Sequence, residues 1–538
     1  MSDHNKPYDA IVVGAGVAGI YQAKMLSDRG LNFLALDTNA DFGGTWFKNR
    51  YPGCRFDSES YTYGYKFSRE LLDEWDWKEH FSPQPENLKY LNFVADKFDL
   101  RQYFRFNSRV QSMVWCEDDR LWDVTLTTGE SYRTRFVITC LGVLSEAFVP
   151  AINGAETFGG DAFHTYDWPD DPVQLAGQRV GVIGTGATGI QIIAEIADKV
   201  GELTVFQRNP NWSVPLNNAP ILPDEMDDIR SRYDEIFEIC NQSQGGFCHL
   251  PLRRDFADTT TQERLAFWDE LYERRGFALL LANYRETFLE EEANRQLSEY
   301  VAQRIRQRVN DPKVAEILIP KDHGFGMRRL PLETRYFEAY NRPNVTLVDL
   351  NNDPIDSINS AGIQTAANHY DLDLIIYATG FEATTGALNA IDIKGVDGHA
   401  LKDKWRDDTS TYLGTMSRSF PNLMMVGGPQ SVSGSTNYPQ AIETGVEWVT
   451  ALLDHVMEGN CTRVEASQDG EDFWNAEVAH KQDHMPFRKI RSWFTGYNPN
   501  AAEGKSPFRY NNYWGGVPKY RKFLQRAADS DYDQIEMS

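Results

Sequence analysis

The chain has 538 residues, 41% hydrophobic and 25% charged, too many for one core; two or three soluble domains are expected. Its formal net charge of −24 argues against a nucleic-acid or anionic-membrane partner, since both need a basic surface. The six cysteines form no CxxC pair and read as reduced thiols. With no signal-peptide pattern and no apolar run of ~20 residues, the expectation is a cytoplasmic protein with no membrane partner.

In chain order, "YDAIVV" (Tyr8 to Val13) predicts a buried parallel strand. It enters "GAGVAG" (Gly14 to Gly19), then a helix ending near Gly30 and a second strand from Asn32 to Asp37. The same βαβ pattern recurs from Arg179. A strand enters "GTGATG" (Gly184 to Gly189), a helix runs to about Val200, and the strand "LTVFQR" ends at Arg208. The stretch from about Pro223 to Ile319 is rich in Glu, Arg and Leu and predicts a helical insertion. It carries a capping-box pattern from Thr260 to Glu263 and a Pro-initiated helix start at Asp311-Pro312. Strand-like runs return at Asn344 to Leu350 and Asp373 to Phe381. After them "NLMMVGG" (Asn422 to Gly428) alternates with helical and loop segments.

Each glycine loop follows a strand and opens a helix, which makes the pair a stronger signal than one copy. Gly14 and Gly184 permit the tight turn, Gly16 and Gly186 admit a pyrophosphate, and Gly19 and Gly189 let helix and strand pack closely. The helix N-termini present free N–H groups to the phosphates, with Thr185 and Thr188 in the second loop. The second strands end differently. Asp37 suits a ribose with a free 2′-hydroxyl, as in FAD or NAD, and Arg208 suits a 2′-phosphate, as in NADPH. The inference is FAD at the first loop and NADPH at the second, with hydride passing between them.

Four further patterns give the chain a family resemblance. Phe158, Gly160, His164, Trp168 and Pro169 fit F-x-G-x-x-x-H-x-x-x-W-P. "GGTWFKNRYPGCRFD" (Gly43 to Asp57) fits G-G-x-W-x-x-x-x-Y-P-G-x-x-x-D. "DLIIYATGF" carries an ATG segment, and "GFGMRRLPLETRYFEAYNRPNV" (Gly324 to Val345) carries an arginine pair. Together they resemble the type I Baeyer–Villiger monooxygenases, close to cyclohexanone and phenylacetone monooxygenases. "SWFTG" and "YWGGVPKYR" extend the resemblance to nearly the full length.

That resemblance implies an α/β fold of two Rossmann-like domains with a helical insertion. Residues 1–147 and 384–538 would bind FAD, 148–222 and 335–383 would bind NADP, and 223–334 would be the insertion. It implies that NADPH reduces FAD and that the C4a-peroxyflavin inserts one atom of O2 into a ketone, giving an ester or lactone. Arg329 would hold the peroxide anion and the carbonyl oxygen, and Asp57 would orient that arginine and meet the nicotinamide. Arg328 would join Arg208 at the 2′-phosphate, Thr45 and Trp46 would contact a cofactor, and Trp493 would cover NADP. His164 has no Ser, Cys or metal-ligand partner nearby in sequence and reads as a brace between domains. "GYNPNAAEGK" (Gly496 to Lys505) departs from the family's shorter "GANIPGK"-like run, and Ser431 to Gln440 is expected to line the pocket. The expected partners are a small ketone and O2, no metal, and a monomer or weak homo-oligomer. The rival reading is a flavin monooxygenase oxygenating nitrogen or sulfur. A disulfide reductase lacks its cysteine pair here, and a non-catalytic nucleotide binder would not need the Asp57–Arg329 set.

Overall fold

The computed structural model describes residues 6–431, 435–497 and 508–538. The first apolar run, Tyr8–Val13, is the middle of a sheet because both its faces are covered. It pairs in parallel with Phe33–Leu36 on one side and Ser131–Thr139 on the other. Ile11, Val12 and Leu36 are fully buried, which is why these strands need unbroken apolar runs. Val110–Cys116 and Leu121–Leu126 widen the sheet in antiparallel fashion. Two late strands, Asp392–Lys394 and Leu423–Met425, return to it. One sheet thus combines the start of the chain with its last third.

The second sheet is all parallel. Its order is Val345–Asp349, Glu202–Gln207, Arg179–Ile183, Leu374–Tyr377 and Asp161–His164. A three-stranded antiparallel sheet, Ile355–Asn359, Gly362–Thr365 and His369–Asp371, was not anticipated from sequence. Its burial alternates along short strands, so no long apolar run announces it.

Between Gln207 and Val345 the chain is mainly helical. The helix Thr261–Glu273 starts with the anticipated capping box: the Thr260 hydroxyl accepts from the Glu263 N–H, and the Glu263 carboxylate accepts from the Thr260 N–H. Asp311 caps Pro312–Leu318. The two ends of this helical stretch are tied together at a neck. Val214–Pro215 pairs with Leu332–Glu333, the Trp212 indole donates to the His323 carbonyl (2.9 Å), and the Ser213 hydroxyl donates to the Pro331 carbonyl (3.0 Å). Arg308, ending the helix Glu291–Arg308, reaches back 2.6 Å to Glu333, whose side chain is fully buried.

The helix Tyr438–Glu458 underlies the first glycine loop; Gln22 donates to Thr450 across that contact (3.1 Å). Within it Glu443 is fully buried. Its Oε1 accepts from the Lys66 and Phe67 N–H groups, and the Lys66 ammonium stands 3.7 Å from Oε2. Burial outweighs these partners and raises the carboxyl from 4.5 to about 7. The native state therefore keeps a proton that the unfolded chain loses. The resulting stabilisation is complete below the unfolded value and is lost as pH rises through about 7. Glu443→Gln, which keeps the acceptor oxygen, should flatten the fall in Tm between about pH 5 and pH 8, by the equivalent of up to ~3 kcal/mol. Thermal melts of both proteins across that range test this; equal slopes would mean that Glu443 ionises normally in the native state.

Candidate active site

At the first loop, packing dictates two of the three glycines. Gly14 has φ +121°, and a Cβ there would lie 2.3 Å from the Cys140 carbonyl oxygen. A Cβ at Gly19 would lie 1.8 Å from the Gly14 carbonyl oxygen. Gly16 is different: the nearest atom to its Cβ would be Gly44 Cα at 3.5 Å. The second loop repeats this pattern. A Cβ would meet backbone oxygen at 2.5 Å at Gly184 and 2.2 Å at Gly189, but nothing within 4 Å at Gly186. Gly16 and Gly186 are also the N-caps of Val17–Asp28 and Ala187–Ile196, with no side-chain cap. The open space at both middle glycines is therefore a cradle in front of free helix N–H groups, the place a pyrophosphate requires.

The first cradle opens into a cavity of about 650 Å³ lined by Gly14, Gly16, Asp37, Thr45, Trp46, Asp57, Arg329 and Tyr438, among others. Asp37, just past the strand Phe33–Leu36, is fixed by accepting from the Ala15 N–H (2.6 Å) and the Asn39 N–H (2.7 Å). Burial raises its carboxyl above the ordinary range, against the pull of those two donors. Thr45 opens the short helix Thr45–Lys48, and Trp46 is held by its indole N–H donating to the Tyr63 hydroxyl (2.8 Å).

Arg329 donates to Asp57 at 2.6 Å, and its guanidinium sits 4.8 Å above the Phe277 ring. The neck positions it: Asn211 donates to the Arg329 carbonyl at 2.9 Å. The Asp57 and Arg329 side chains stay 21% and 23% accessible, and both line the cavity. Burial raises the Asp57 carboxyl, and Arg329 opposes it. Tyr438 faces the same cavity; burial pushes its hydroxyl up to about 12, with Arg329 pulling it down. Of the stretch Ser431 to Gln440, Thr436 and Tyr438 line the cavity, and residues 432–434 lie outside the described residues.

The second loop stands against the first unit. Tyr51 donates to Gln191 (2.8 Å), and Gln191 donates to the Arg55 carbonyl (3.0 Å). Gly53 (φ +83°) approaches so closely that a Cβ would meet the Gln191 carbonyl at 3.0 Å. Thr185 is buried and donates to the Asn209 carbonyl, while Thr188 is half-buried. Arg208 is exposed just past Glu202–Gln207 and has no ion-pair partner among the described residues. Arg328 donates to Asp322 (2.6 Å). Trp493 sits in the turn Trp493–Thr495 against Phe494. Neither Arg208, Arg328 nor Trp493 lines the cavity. The run from Gly496 to Lys505 falls outside the described residues from position 498. His164 ends the strand Asp161–His164, buried, with Nδ1 accepting from the Tyr166 N–H (3.0 Å). Burial lowers its pKa, so the ring is neutral at pH 7.

Sequence reasoning did not single out Tyr63, Asn211 or Phe277. Each acts through a contact across the fold, and no local pattern marks it. The two kinds of glycine make a direct test. Without added nucleotide, Gly189→Ala should lower Tm through overpacking worth ~1–3 kcal/mol, whereas Gly186→Ala should melt close to the parent. Equal losses in the two variants would contradict the open cradle.

Residues 9–230 match the model of the flavin-binding monooxygenase-like family. The 2-oxo-Δ3-4,5,5-trimethylcyclopentenylacetyl-CoA monooxygenase of Pseudomonas putida is 43% identical over 98% of both chains. The methyl acetate-forming acetone monooxygenase of Gordonia sp. is 39% identical over 98% of this chain and 99% of its own. A phenazine N-monooxygenase of Lysobacter antibioticus is 35% identical over 99% and 98%. A crystal structure of OTEMO in complex with FAD and NADP superposes with a TM-score of 0.94, at 42% identity over 99% of this chain and 100% of its own.

Proposed function

The chain belongs to the Baeyer–Villiger monooxygenase family, and from that premise we propose how its own residues serve the reaction. It is an FAD- and NADPH-dependent monooxygenase that converts a ketone to an ester or lactone. The observation that carries the assignment of roles is the Asp57–Arg329 pair opening onto the same cavity as the first glycine loop.

FAD fits the first site: the Gly16 cradle has room for the pyrophosphate, and Asp37, fixed at the end of the second strand, would accept from the adenosine ribose hydroxyls. NADPH fits the second: Gly186 opens onto free N–H groups, and Arg208, past the second strand, is a cation with no ion-pair partner among the described residues. When bound, these groups supply the hydride and the activation of O2. The protein's part is electrostatic and geometric. Arg329 directs guanidinium N–H donors into the cavity, toward negative charge that develops on the ketone oxygen. Asp57 fixes that fork and balances its charge. Thr45 and Trp46 form the cavity wall, Trp46 being locked by Tyr63. Arg328, now paired with Asp322, would hold the 2′-phosphate with Arg208, Thr185 and Thr188 of the second loop would hold the pyrophosphate, and Trp493 would cover the nicotinamide nucleotide.

Residues 1–147 and 384–538 form the FAD-binding domain, 148–222 and 335–383 the NADP-binding domain, and 223–334 the insertion. Among the described residues no helix is long and apolar enough to cross a membrane, and all six cysteines are free. The reading proposed here is a cytoplasmic enzyme, a monomer or weak homo-oligomer, acting on a small ketone and O2. A second reading, N-oxygenation, is favoured only by the phenazine N-monooxygenase relative.

Arg329→Ala should lower ester formation ~10²–10³-fold, while NADPH oxidation persists and hydrogen peroxide accumulates. Asp57→Ala should shift the same balance less. Product analysis by mass spectrometry on a ketone and amine panel, with peroxide assays, reads this. Ester formation by Arg329→Ala at close to the parental rate would refute the role, and N-oxide as the main product would favour the second reading. At the other loop, Arg208→Ala should raise KM for NADPH far more than for NADH, by the equivalent of ~1.5–3 kcal/mol for one charge-assisted contact. Equal changes for both would remove Arg208 from the 2′-phosphate.

A further inference from the structure

We propose that Glu59, Cys248 and His249 form a binding site for a thiophilic divalent cation of the zinc class, at the seam between the first unit and the helical stretch. Glu59 stands on the turn before Ser60–Tyr63, two residues beyond Asp57. Cys248 and His249 lie in the loop after the helix Tyr233–Gln242. The Cys248 thiol, a ring nitrogen of His249 and a carboxylate oxygen of Glu59 all lie within 4.8 Å of one another. None of the three lines the cavity described above.

A plain His–Glu ion pair explains only part of this arrangement. His249 Nε2 is 2.7 Å from Glu59 Oε1, which satisfies one oxygen. Glu59 is only 2% exposed; its Oε2 is buried without a well-formed hydrogen bond, and beyond His249 the carboxylate's hydrogen-bonding neighbour is the Cys248 thiol. A thiol is a weak donor, so this buried oxygen is poorly satisfied, and a metal ion is a partner that uses it. The donor set is also chemically coherent: thiolate, imidazole and carboxylate are the ligand types of zinc. Zinc–ligand bonds of ~2.0–2.3 Å in a tetrahedron place the ligand atoms ~3.3–3.7 Å apart. To reach that, the His249–Glu59 contact of 2.7 Å would open by about half an ångström, and any separation near the 4.8 Å limit would close by about 1 Å. Charge balances as well. One thiolate and one carboxylate neutralise a divalent cation, so the filled seam carries no net buried charge. The fourth position is left to water.

Binding has a defined proton balance. A cysteine side chain is a thiol at neutral pH unless a cation takes its proton's place, so the metal-free site holds a thiol. The cation takes the thiolate, one S–H bond breaks, and one proton passes to the buffer; affinity therefore rises with pH. Occupancy crosslinks two segments that are 189 positions apart (248 − 59), so it should stabilise their packing.

Cobalt(II) titrated into the chelator-treated, FAD-loaded enzyme is the probe. One equivalent should produce the strong red d–d bands of tetrahedral thiolate-bound cobalt, beyond the flavin absorption. Zinc should bleach them, one proton should be released, and Tm should rise. Cys248→Ser should lose the bands and the Tm response. His249→Gln, which can still bond Glu59, should weaken both while keeping the parental flavin content. The exposed His480–His484 pair offers nitrogen only, so cobalt there stays six-coordinate and pale. Absence of stoichiometric red bands in the parent, or bands that survive Cys248→Ser, would overturn the site.

Discussion

Asp57 and Arg329 meet across 272 positions of sequence, and each is delivered by a separate piece of architecture. Asp57 follows a run whose aromatic residues interlock: Phe56 stacks on Tyr63 at 4.3 Å, and Tyr63 in turn holds the Trp46 indole. Arg329 leaves the neck that closes the helical stretch, with its backbone pinned by Asn211 and its guanidinium seated over Phe277. The two charges lose much of their hydration. The rise of the Asp57 carboxyl shows that burial outweighs even a guanidinium at 2.6 Å. Such a pair is weak as a source of stability, because desolvation consumes most of the Coulombic gain. It makes sense as a device that keeps a cation oriented toward a cavity. There a substrate dipole completes the solvation that the protein leaves unfinished.

The same tension recurs at other seams and is resolved in different ways. Glu333 is fully buried and receives Arg308 at the neck, so the charge is paired where the strand needs rigidity. Glu59 gains only one of two partners from His249. Glu443 has two backbone donors and a distant ammonium, and holds its proton instead. Glu59 and Glu443 join parts of the chain 190 and 376 or more positions apart, and Glu333 ties the end of a helix back to the neck. Apolar side chains there would hold the parts together without fixing their register, whereas a carboxylate with directional partners accepts one arrangement. Specificity of this kind has a stability penalty, which the apolar cores of the two sheets offset.

Sequence revealed the parts of this molecule that are governed locally. A buried parallel strand must be apolar throughout, and a dinucleotide loop must have its glycines, so Tyr8–Val13, Arg179–Ile183 and both loops were legible with near-exact bounds. The capping box at Thr260 was legible for the same reason: two residues three positions apart, Thr260 and Glu263, determine it. The antiparallel strands Val110–Cys116 and Leu121–Leu126 were not anticipated. They alternate buried and partly exposed residues, and their partners are set by the sheet. The Asp57–Arg329 pair could be named only through a family resemblance, since nothing within either segment predicts the other. Phe277 and Asn211 escaped entirely. A ring under a guanidinium and an amide against a carbonyl are tertiary facts with no local residue code.

The run from Gly43 to Asp57 also links the two nucleotide-binding units, and the energies of its contacts say how firmly. Lys48 and Arg50 pair with Asp167 and Asp170 of the linker, and Arg50 also donates to the Trp168 carbonyl. These charges are partly or largely exposed, so each pair contributes ~0–1 kcal/mol and gives way easily. Tyr51 and Gly53 do otherwise. The Tyr51 hydroxyl donates to the Gln191 side chain, and Gly53, at φ +83°, brings backbone so near the Gln191 carbonyl that a Cβ would lie 3.0 Å from its oxygen. The run that forms the wall at Trp46 and ends in Asp57 therefore touches both nucleotide-binding units: its packed aromatic rings hold the segment that presents Asp57 to Arg329, and Gly53 sets the same segment against the helix Ala187–Ile196 of the second unit.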